Sequence, residues 1–387
     1  MMTKTISILG STGSIGRQTL DVVDQLGISV AALACGSSLD RMEAQCRKYL
    51  PRLAVVANDE LAAELRGRLL GLSVEVDCGM SGLIRAASME EADTVITAVV
   101  GMIGLEPTLA ACRAGKRIGL ANKETLVCAG ELVMAEAARC GASIIPVDSE
   151  HSAIFQCLMG NVDRGEVKRL ILTASGGAFY GRNREELVYA KKDEALRHPN
   201  WKMGQKITID CATMLNKGLE IIEAMRLYDM PLEKVSVAVH RQSIVHSLVE
   251  YCDGAVMAQL GTPDMRLPIQ LALTYPKRMP SPAPALDLMA CGPLTFETPD
   301  LETFPCLKLA MDAAAAGGTA CAVLNGANEE AVAAYLRDEI GFYQISDAIK
   351  AALDQIAVAP VDCLEQALEA DRLARQAAKA YFFHSER

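Results

Sequence analysis

Thr5-Ile6-Ser7-Ile8-Leu9-Gly10-Ser11-Thr12-Gly13-Ser14-Ile15-Gly16 carries five strand-forming residues, a turn rich in glycine and hydroxyls, and the start of a helix. Arg17, Leu20, Val23 and Leu26 continue with helical spacing, so the segment reads as the opening of a βαβ unit. At such a turn glycines let the backbone approach a pyrophosphate, and the helix N-terminus favours its charge. The spacing is G-x-x-G-x-x-G rather than G-x-G-x-x-G. A tight turn without a ligand is the alternative, and the strand-turn-helix context favours binding.

Outward from this segment, strands are expected at 29–34, 53–57, 94–99, 117–121 and 142–147, with helices such as 61–70 and 131–140 between them. Strands that alternate with helices predict an α/β fold with a Rossmann-like, doubly wound parallel sheet over residues 1–147. Beyond Val147, strands at 169–173, 236–239 and 255–259 stand between long loops. A central α+β domain is expected there, residues 148–275, with a lid loop near 182–206. A proline-rich passage marks a linker at 276–306, and the alanine-rich remainder, 307–387, predicts a C-terminal helical bundle.

Of the 387 residues 51% are hydrophobic and the net charge is −10, which predicts a well-packed globular protein without nucleic acid or membrane as partner. Any anion site must therefore be local. Thirteen cysteines with no C-x-x-C pair disfavour a disulfide framework and a structural zinc, and fit a reducing cytoplasm. No signal segment and no long apolar run is evident, so a soluble cytoplasmic protein is expected.

The second expected strand ends in Ala34-Cys35-Gly36-Ser37-Ser38, without the acid that holds a ribose 2′-hydroxyl in NAD sites. Ser37, Ser38 and Arg41 could instead donate to a 2′-phosphate, favouring NADP; ordinary loop polarity is the alternative. Asn122, Lys123 and Glu124 follow a strand end, where they could orient ribose and nicotinamide, or Asn122 could simply cap a helix.

Pro146-Val147-Asp148-Ser149-Glu150-His151 and Asn216-Lys217-Gly218-Leu219-Glu220 offer three carboxylates and a lysine. Read as an extended strand, the first segment would place Asp148 and Glu150 on one side and Ser149 on the other. Paired carboxylates share a proton or bind a cation, and all-oxygen ligands suit Mg²⁺ or Mn²⁺. An exposed acidic turn is the alternative. Asn216 and Glu220, four apart, would share one helical face beside Lys217. Ser175-Gly176-Gly177 could form an anion nest, or only a tight turn. His198-Pro199-Asn200-Trp201-Lys202-Met203-Gly204 holds the chain's only tryptophan in a polar stretch, as a lid over a substrate would. His240 and His246 read as structural, and His384 falls in the terminal tail. No G-x-S-x-G or H-E-x-x-H motif supports a hydrolase.

GSTGSIG, LANKETLV, PVDSEHSAIFQ, ASGGAF, HPNWKMGQKITIDCATMLNKGLEIIEA, HRQSIVHSLVE, GTPDMRLPIQLAL and LNGANEEAV, in this order across nearly the whole chain, closely resemble the 1-deoxy-D-xylulose 5-phosphate reductoisomerase family. The resemblance implies an enzyme of the non-mevalonate isoprenoid pathway, dependent on NADPH and a divalent metal: Mg²⁺ or Mn²⁺, with Co²⁺ a further candidate. It would rearrange and reduce 1-deoxy-D-xylulose 5-phosphate to 2-C-methyl-D-erythritol 4-phosphate, the cation polarising a carbonyl and stabilising an enediolate. It implies Asp148, Glu150 and Glu220 as metal ligands, which with Lys123 form the catalytic set. Substrate binders would be Ser149, Glu150, Ser175, His198, Trp201, Met203, Cys211, Asn216, Lys217 and Glu220. Cofactor contacts would be Ser11, Thr12, Gly13, Ser14, Ile15, Gly36, Ser37, Ser38, Asn122, Lys123, Glu124 and Gly204. A homodimer formed through the central domain is implied as well.

Two positions depart from the family pattern. Cys211 stands where a phosphate-binding serine is expected, and Ser37-Ser38 where a basic residue and an asparagine are common. Two rivals remain at this point: another NADP-dependent dehydrogenase of semialdehyde or homoserine type, and a non-catalytic NADP-binding regulator. Neither needs three carboxylates around an anion site.

Overall fold

The structure is a computed structural model that describes residues 3–161 and 163–385; the side chain of His384 lies outside the described set. The chain packs as two units. The first comprises residues 1–125, 133–152 and 264–284, and the second residues 126–132, 153–263 and 285–387.

In the first unit seven strands, β1 (Thr5–Leu9), β2 (Ser29–Ala34), β3 (Leu53–Val56), β4 (Glu75–Cys78), β5 (Thr94–Thr97), β6 (Arg117–Leu120) and β7 (Ser143–Pro146), form one parallel sheet in the order β4-β3-β2-β1-β5-β6-β7. The order reverses direction beside β1, so the crevice at its C-terminal end is the topological switch point. Intervening helices are α1 (Ser14–Leu26), α2 (Leu39–Tyr49), α3 (Asp59–Arg68), α4 (Gly79–Ser88), α5 (Leu105–Arg113) and α6 (Glu124–Cys140), the last broken at Ala129 by a non-helical backbone. Strands such as Leu53-Ala54-Val55-Val56 are wholly buried, as a sheet covered on both faces requires. The doubly wound sheet is as expected, with strand ends within a few residues of those read from sequence and with β4 an addition.

Asp148-Ser149-Glu150 is not a strand. Ser149–Cys157 forms helix α7, and Asp148 caps it: its carbonyl accepts from Ser152 N at 2.8 Å and its carboxylate from Glu150 N at 3.1 Å. An Asp before an acidic first turn is a helix-start signal, and it outweighs the alternation of polar residues that suggested an extended chain.

The second unit contains a mixed sheet of β8 (Val167–Ala174), β9 (Val235–Val239), β10 (Val245–Tyr251) and β11 (Val256–Leu260), in the order β11-β10-β8-β9. Strands β8 and β9 run parallel, and β10 is antiparallel to both β8 and β11. The expected lid loop carries two helical turns, α8 (Arg184–Leu187) and α9 (Lys192–Ala195), before α10 (Gln205–Ala212) and α11 (Leu215–Tyr228). After α12 (Arg266–Thr274), the helices α13 (Pro305–Ala316), α14 (Ala320–Leu336), α15 (Phe342–Gln355) and α16 (Leu364–Ser385) make up the expected bundle, from fully buried small residues such as Ala327, Ala331, Ala348 and Ala374. The boundaries expected at 147 and 275 differ from the observed packing: 264–284, with α12, belongs to the first unit. Apolar residues of α12 fill a gap on the parallel sheet, which a reading of local pattern does not foresee.

Candidate active site

Chemistry-bearing residues of the first unit gather at the C-terminal ends of its strands. Gly10 has φ +92 and a Cβ there would lie 2.5 Å from Ala98 O, so only glycine fits. A Cβ on Gly16 would lie 2.3 Å from Gly10 O, which brings α1 down onto the turn. The turn is pinned to β2 by Gly10 N and Ser11 N, both donating to Ala34 O at 2.9 and 2.8 Å. Gln45 of α2 brackets Ser11, accepting from its hydroxyl at 2.7 Å and donating to its carbonyl at 3.0 Å. Gly36, Ser37 and Ser38 form the next turn, with Ser37 and Ser38 exposed and Ser38 at the N-cap position of α2. Arg41 reaches back to Thr12 O at 3.5 Å. Arg41 thus stands beside the glycine turn, and the exposed Ser37 and Ser38 precede it at the start of its helix.

Asn122 behaves as the capping alternative anticipates. Its amide donates to Val99 O at 2.6 Å and Gly101 O at 2.9 Å, and its oxygen accepts from Thr125 N at 2.9 Å. Neighbouring Lys123 forms a 2.7 Å ion pair with Asp148, both side chains being nearly buried. Burial pushes the Asp148 carboxyl up, but Lys123 and His151 overcome this and hold it well below the usual carboxylate range. Glu150, the second residue of α7, accepts from Ser149 Oγ at 2.6 Å. Asp148 and Glu150 are therefore adjacent through a helix start rather than a strand, and an all-oxygen pair of this kind suits a hard cation. His151, fully buried and 3.2 Å from Asp148, was not singled out from sequence; its place beside two acids was the available signal.

Helix α11 in the second unit buries Asn216, Lys217 and Glu220 on one face, as their spacing predicts. Asn216 Nδ2 donates to Glu220 Oε1 at 2.5 Å and Lys217 pairs with the other oxygen. The helix begins at Met214, whose φ of +62 is costly for a side-chain-bearing residue, by about 1 kcal/mol or more, and whose strain sits where functional segments commonly store it.

Ser175, at the end of β8, opens a turn in which Gly176 and Gly177 both have positive φ. A Cβ on Gly177 would lie 2.3 Å from Cys211 O, so the turn rests directly against the end of α10. His198 Nδ1 accepts from Trp201 N at 3.0 Å and Asn200 N at 3.3 Å, which leaves the proton on Nε2, 2.9 Å from Ser175 Oγ. Burial, and then the charge of Arg241, push His198 down to about 4, so it is neutral at pH 7. Ser175 Oγ accepts from His198 and, at 3.2 Å, from Gly177 N, leaving its own proton to be donated elsewhere. Trp201 packs at 6.1 Å against His246, which burial pushes down to about 4 and whose surroundings include Lys217. Met203 and Gly204 follow, Gly204 as the N-cap residue of α10. The motifs around Ser175, His198 and Cys211 therefore lie together. His240, as expected, is structural: fully buried, it accepts from Ile244 N at 3.2 Å and Val245 N at 3.1 Å.

A glycine turn at the switch point of a parallel sheet, followed at the end of β2 by a turn without an acid, defines the class: an NADP-dependent oxidoreductase. Comparison with known proteins makes this more particular. The family model for 1-deoxy-D-xylulose 5-phosphate reductoisomerase matches residues 6–130, and two models for its C-terminal domains match 144–228 and 260–377. The 1-deoxy-D-xylulose 5-phosphate reductoisomerase of Ruminiclostridium cellulolyticum is 54% identical, over 98% of this chain and 99% of its own. That of Acetivibrio thermocellus is 53% identical, over 97% and 98%. A crystal structure of DOX-P reductoisomerase with NADPH, fosmidomycin and magnesium superposes with TM-score 0.95 at 43% identity, covering 99% of both chains. The Zymomonas mobilis enzyme in complex with NADPH gives 0.92 at 43%, covering 98% and 99%. This chain belongs to the 1-deoxy-D-xylulose 5-phosphate reductoisomerase family.

Proposed function

We infer that this protein converts 1-deoxy-D-xylulose 5-phosphate to 2-C-methyl-D-erythritol 4-phosphate in the non-mevalonate isoprenoid pathway, with NADPH and a divalent ion. The observation that carries the reading is the α11 cluster, where a carboxylate, an amide and an ammonium are buried within two turns of one helix. A plain dehydrogenase or a silent cofactor binder has no use for it.

Asp148, Glu150 and Glu220 are proposed as the ion's ligands, supported by their all-oxygen chemistry and by the ionised state of Asp148. When bound, the ion would polarise the ketone and draw the neighbouring hydroxyl oxygen alongside it. Lys123 keeps Asp148 ionised, and Ser149 orients Glu150. The substrate's phosphoryl group is assigned to Ser175, Cys211, Asn216 and Lys217, with His198, Trp201 and Met203 covering it and excluding water. The glycine turn through Ile15, the 36–38 turn with Arg41, residues 122–124 and Gly204 are proposed to hold NADPH.

Residues up to 147 would act as the NADPH domain, helped by α12. The central region to 275 would carry catalysis and a homodimer contact, with the linker and bundle behind it. For the dimer, β11 offers an open sheet edge with Val256 and Met257 half-exposed. All thirteen cysteines are thiols, which suits a cytoplasmic location, and no described helix is long and apolar enough to cross a membrane.

The test follows NADPH absorbance with purified protein and 1-deoxy-D-xylulose 5-phosphate, with Mg²⁺ or Mn²⁺ and then with a chelator. Metal-dependent oxidation yielding the branched product is expected. Bound NADPH without oxidation would overturn the assignment.

A further inference from the structure

Arg241 lies between β9 and β10, outside every motif assigned above to metal, phosphate or cofactor. Its Nη1 donates to Ser175 O at 3.0 Å and to Gly177 O at 2.6 Å, gripping the turn at two carbonyls. The guanidinium lies over the ring of Tyr180 at 4.9 Å, and Tyr180 Oη donates to Glu297 at 2.6 Å. The group is thus clamped as well as clamping. In a trans peptide the N–H points opposite to the C=O. With the carbonyls of Ser175 and Gly177 directed at Arg241, the amides of Gly176 and Ala178 are turned to the opposite side. Ser175 Oγ, with its proton available to donate, belongs to the same turn.

Arg241 also touches the covering segment through its own backbone. Asn200, next to Trp201, donates from Nδ2 to Arg241 O at 2.7 Å and to Ser243 Oγ at 2.8 Å. Ser243 holds φ +52, a left-handed backbone that brings its hydroxyl within that reach. One residue therefore fixes the turn by its side chain and the 198–201 segment by its carbonyl.

We propose that Arg241 is a positioning residue for the substrate's phosphoryl group: it holds the Ser175–Gly177 turn with its donors presented to the phosphate, and it registers Asn200 and the covering segment against that turn. The proposal rests on the reading of Ser175 as a phosphate ligand. Arginine suits the task because Nη1 serves both carbonyls through its two N–H groups while the flat guanidinium lies on Tyr180, a stacked arrangement that lysine's point charge does not reproduce.

The test compares Arg241→Met, Arg241→Lys and Ser175→Ala on 1-deoxy-D-xylulose 5-phosphate and on the unphosphorylated sugar, 1-deoxy-D-xylulose, using Mg²⁺-loaded enzyme. Arg241→Met is expected to raise KM for the phosphorylated substrate roughly tenfold or more, with kcat changed by less than about threefold and kcat/KM for the unphosphorylated sugar unchanged. Arg241→Lys should recover only part of the loss. The double variant with Ser175→Ala should lose less than the product of the single losses, because both act on one turn. Equal losses on both sugars, or strictly multiplicative losses in the double variant, would overturn the positioning role. Should Ser175→Ala itself fail to discriminate the two sugars, the phosphate reading of the turn fails instead. If Arg241→Met does not fold, Arg241→Lys with the same pair of sugars decides.

Discussion

Lys123 Nζ stands 2.7 Å from Asp148 Oδ2, so the residue opening α6 supplies the counter-charge for the residue that caps α7. Breaking a buried pair by removing one partner typically costs about 3 kcal/mol or more, because the other charge is stranded. Lys123→Met should therefore lower the melting temperature of the metal-free protein. If Asp148 ligates the ion, saturating MgCl₂ recovers much of that loss, since a cation again faces the carboxylate. Thermal unfolding with and without Mg²⁺ reads this directly, and an identical loss in both conditions counts against Asp148 as a ligand.

Glu220→Gln keeps the shape of the side chain but removes the charge that Lys217 pairs with. Turnover is expected to fall by about a thousandfold, while NADPH affinity, proposed to rest on the first unit's turns, stays within about twofold. Cofactor fluorescence titration beside steady-state rates separates the two. A parallel loss of NADPH binding would mean that the helix, not the site, was damaged.

Gly177→Ala meets two obstacles at once, a φ of +68 and a backbone oxygen 2.3 Å from the new Cβ. A cost of about 2 kcal/mol or more follows, with a raised KM for the phosphorylated substrate. Denaturant unfolding with substrate kinetics checks it. An alanine variant of ordinary stability and KM would show that the turn is not held as described.

Cys211→Ser restores a hydroxyl donor where the chain carries a weaker thiol. The gain is at most about 1 kcal/mol, a KM reduced up to roughly fivefold. Isothermal titration of substrate into the metal-loaded enzyme measures it, and an unchanged affinity would remove Cys211 from the phosphate contacts.

His246 is held down at about 4 by burial, against 6.5 in the unfolded chain. Between these values the unfolded chain binds a proton that the folded one refuses, so stability falls as pH drops through 6.5 towards 4. Between pH 7 and 5 this group alone contributes a loss of about 2 kcal/mol. Urea unfolding at both pH values, for the parent chain and for His246→Gln, should show a smaller pH dependence in the variant.

The doubly wound sheet was legible because buried strands such as Leu53-Ala54-Val55-Val56 are short apolar runs punctuated by helical periodicity. The α11 cluster was legible because four-residue spacing is a local rule. Asp148-Ser149-Glu150 was misread as extended because three polar residues fit both periods, and the capping bonds of Asp148 decide between them. Arg241 and Asn200 were missed for a different reason: their bonds span 64 and 41 positions of chain, and nothing local encodes a guanidinium's choice of carbonyl. The addition of α12 to the first unit is non-local in the same way, since apolar spacing predicts a buried face but not which sheet buries it.

That helix bears on how the protein is made. Thr3 N donates to Leu273 O at 3.1 Å, and Arg117 reaches the same carbonyl at 3.5 Å, so both early and late parts of the parallel sheet wait for residues near 273. A ribosome must translate through about half of the second unit before the first can close. A nascent chain released at residue 152 would leave the sheet's α12-facing side bare to water, and a separately expressed cofactor unit would need 264–284 grafted back by a linker to be a fair mimic of the native one.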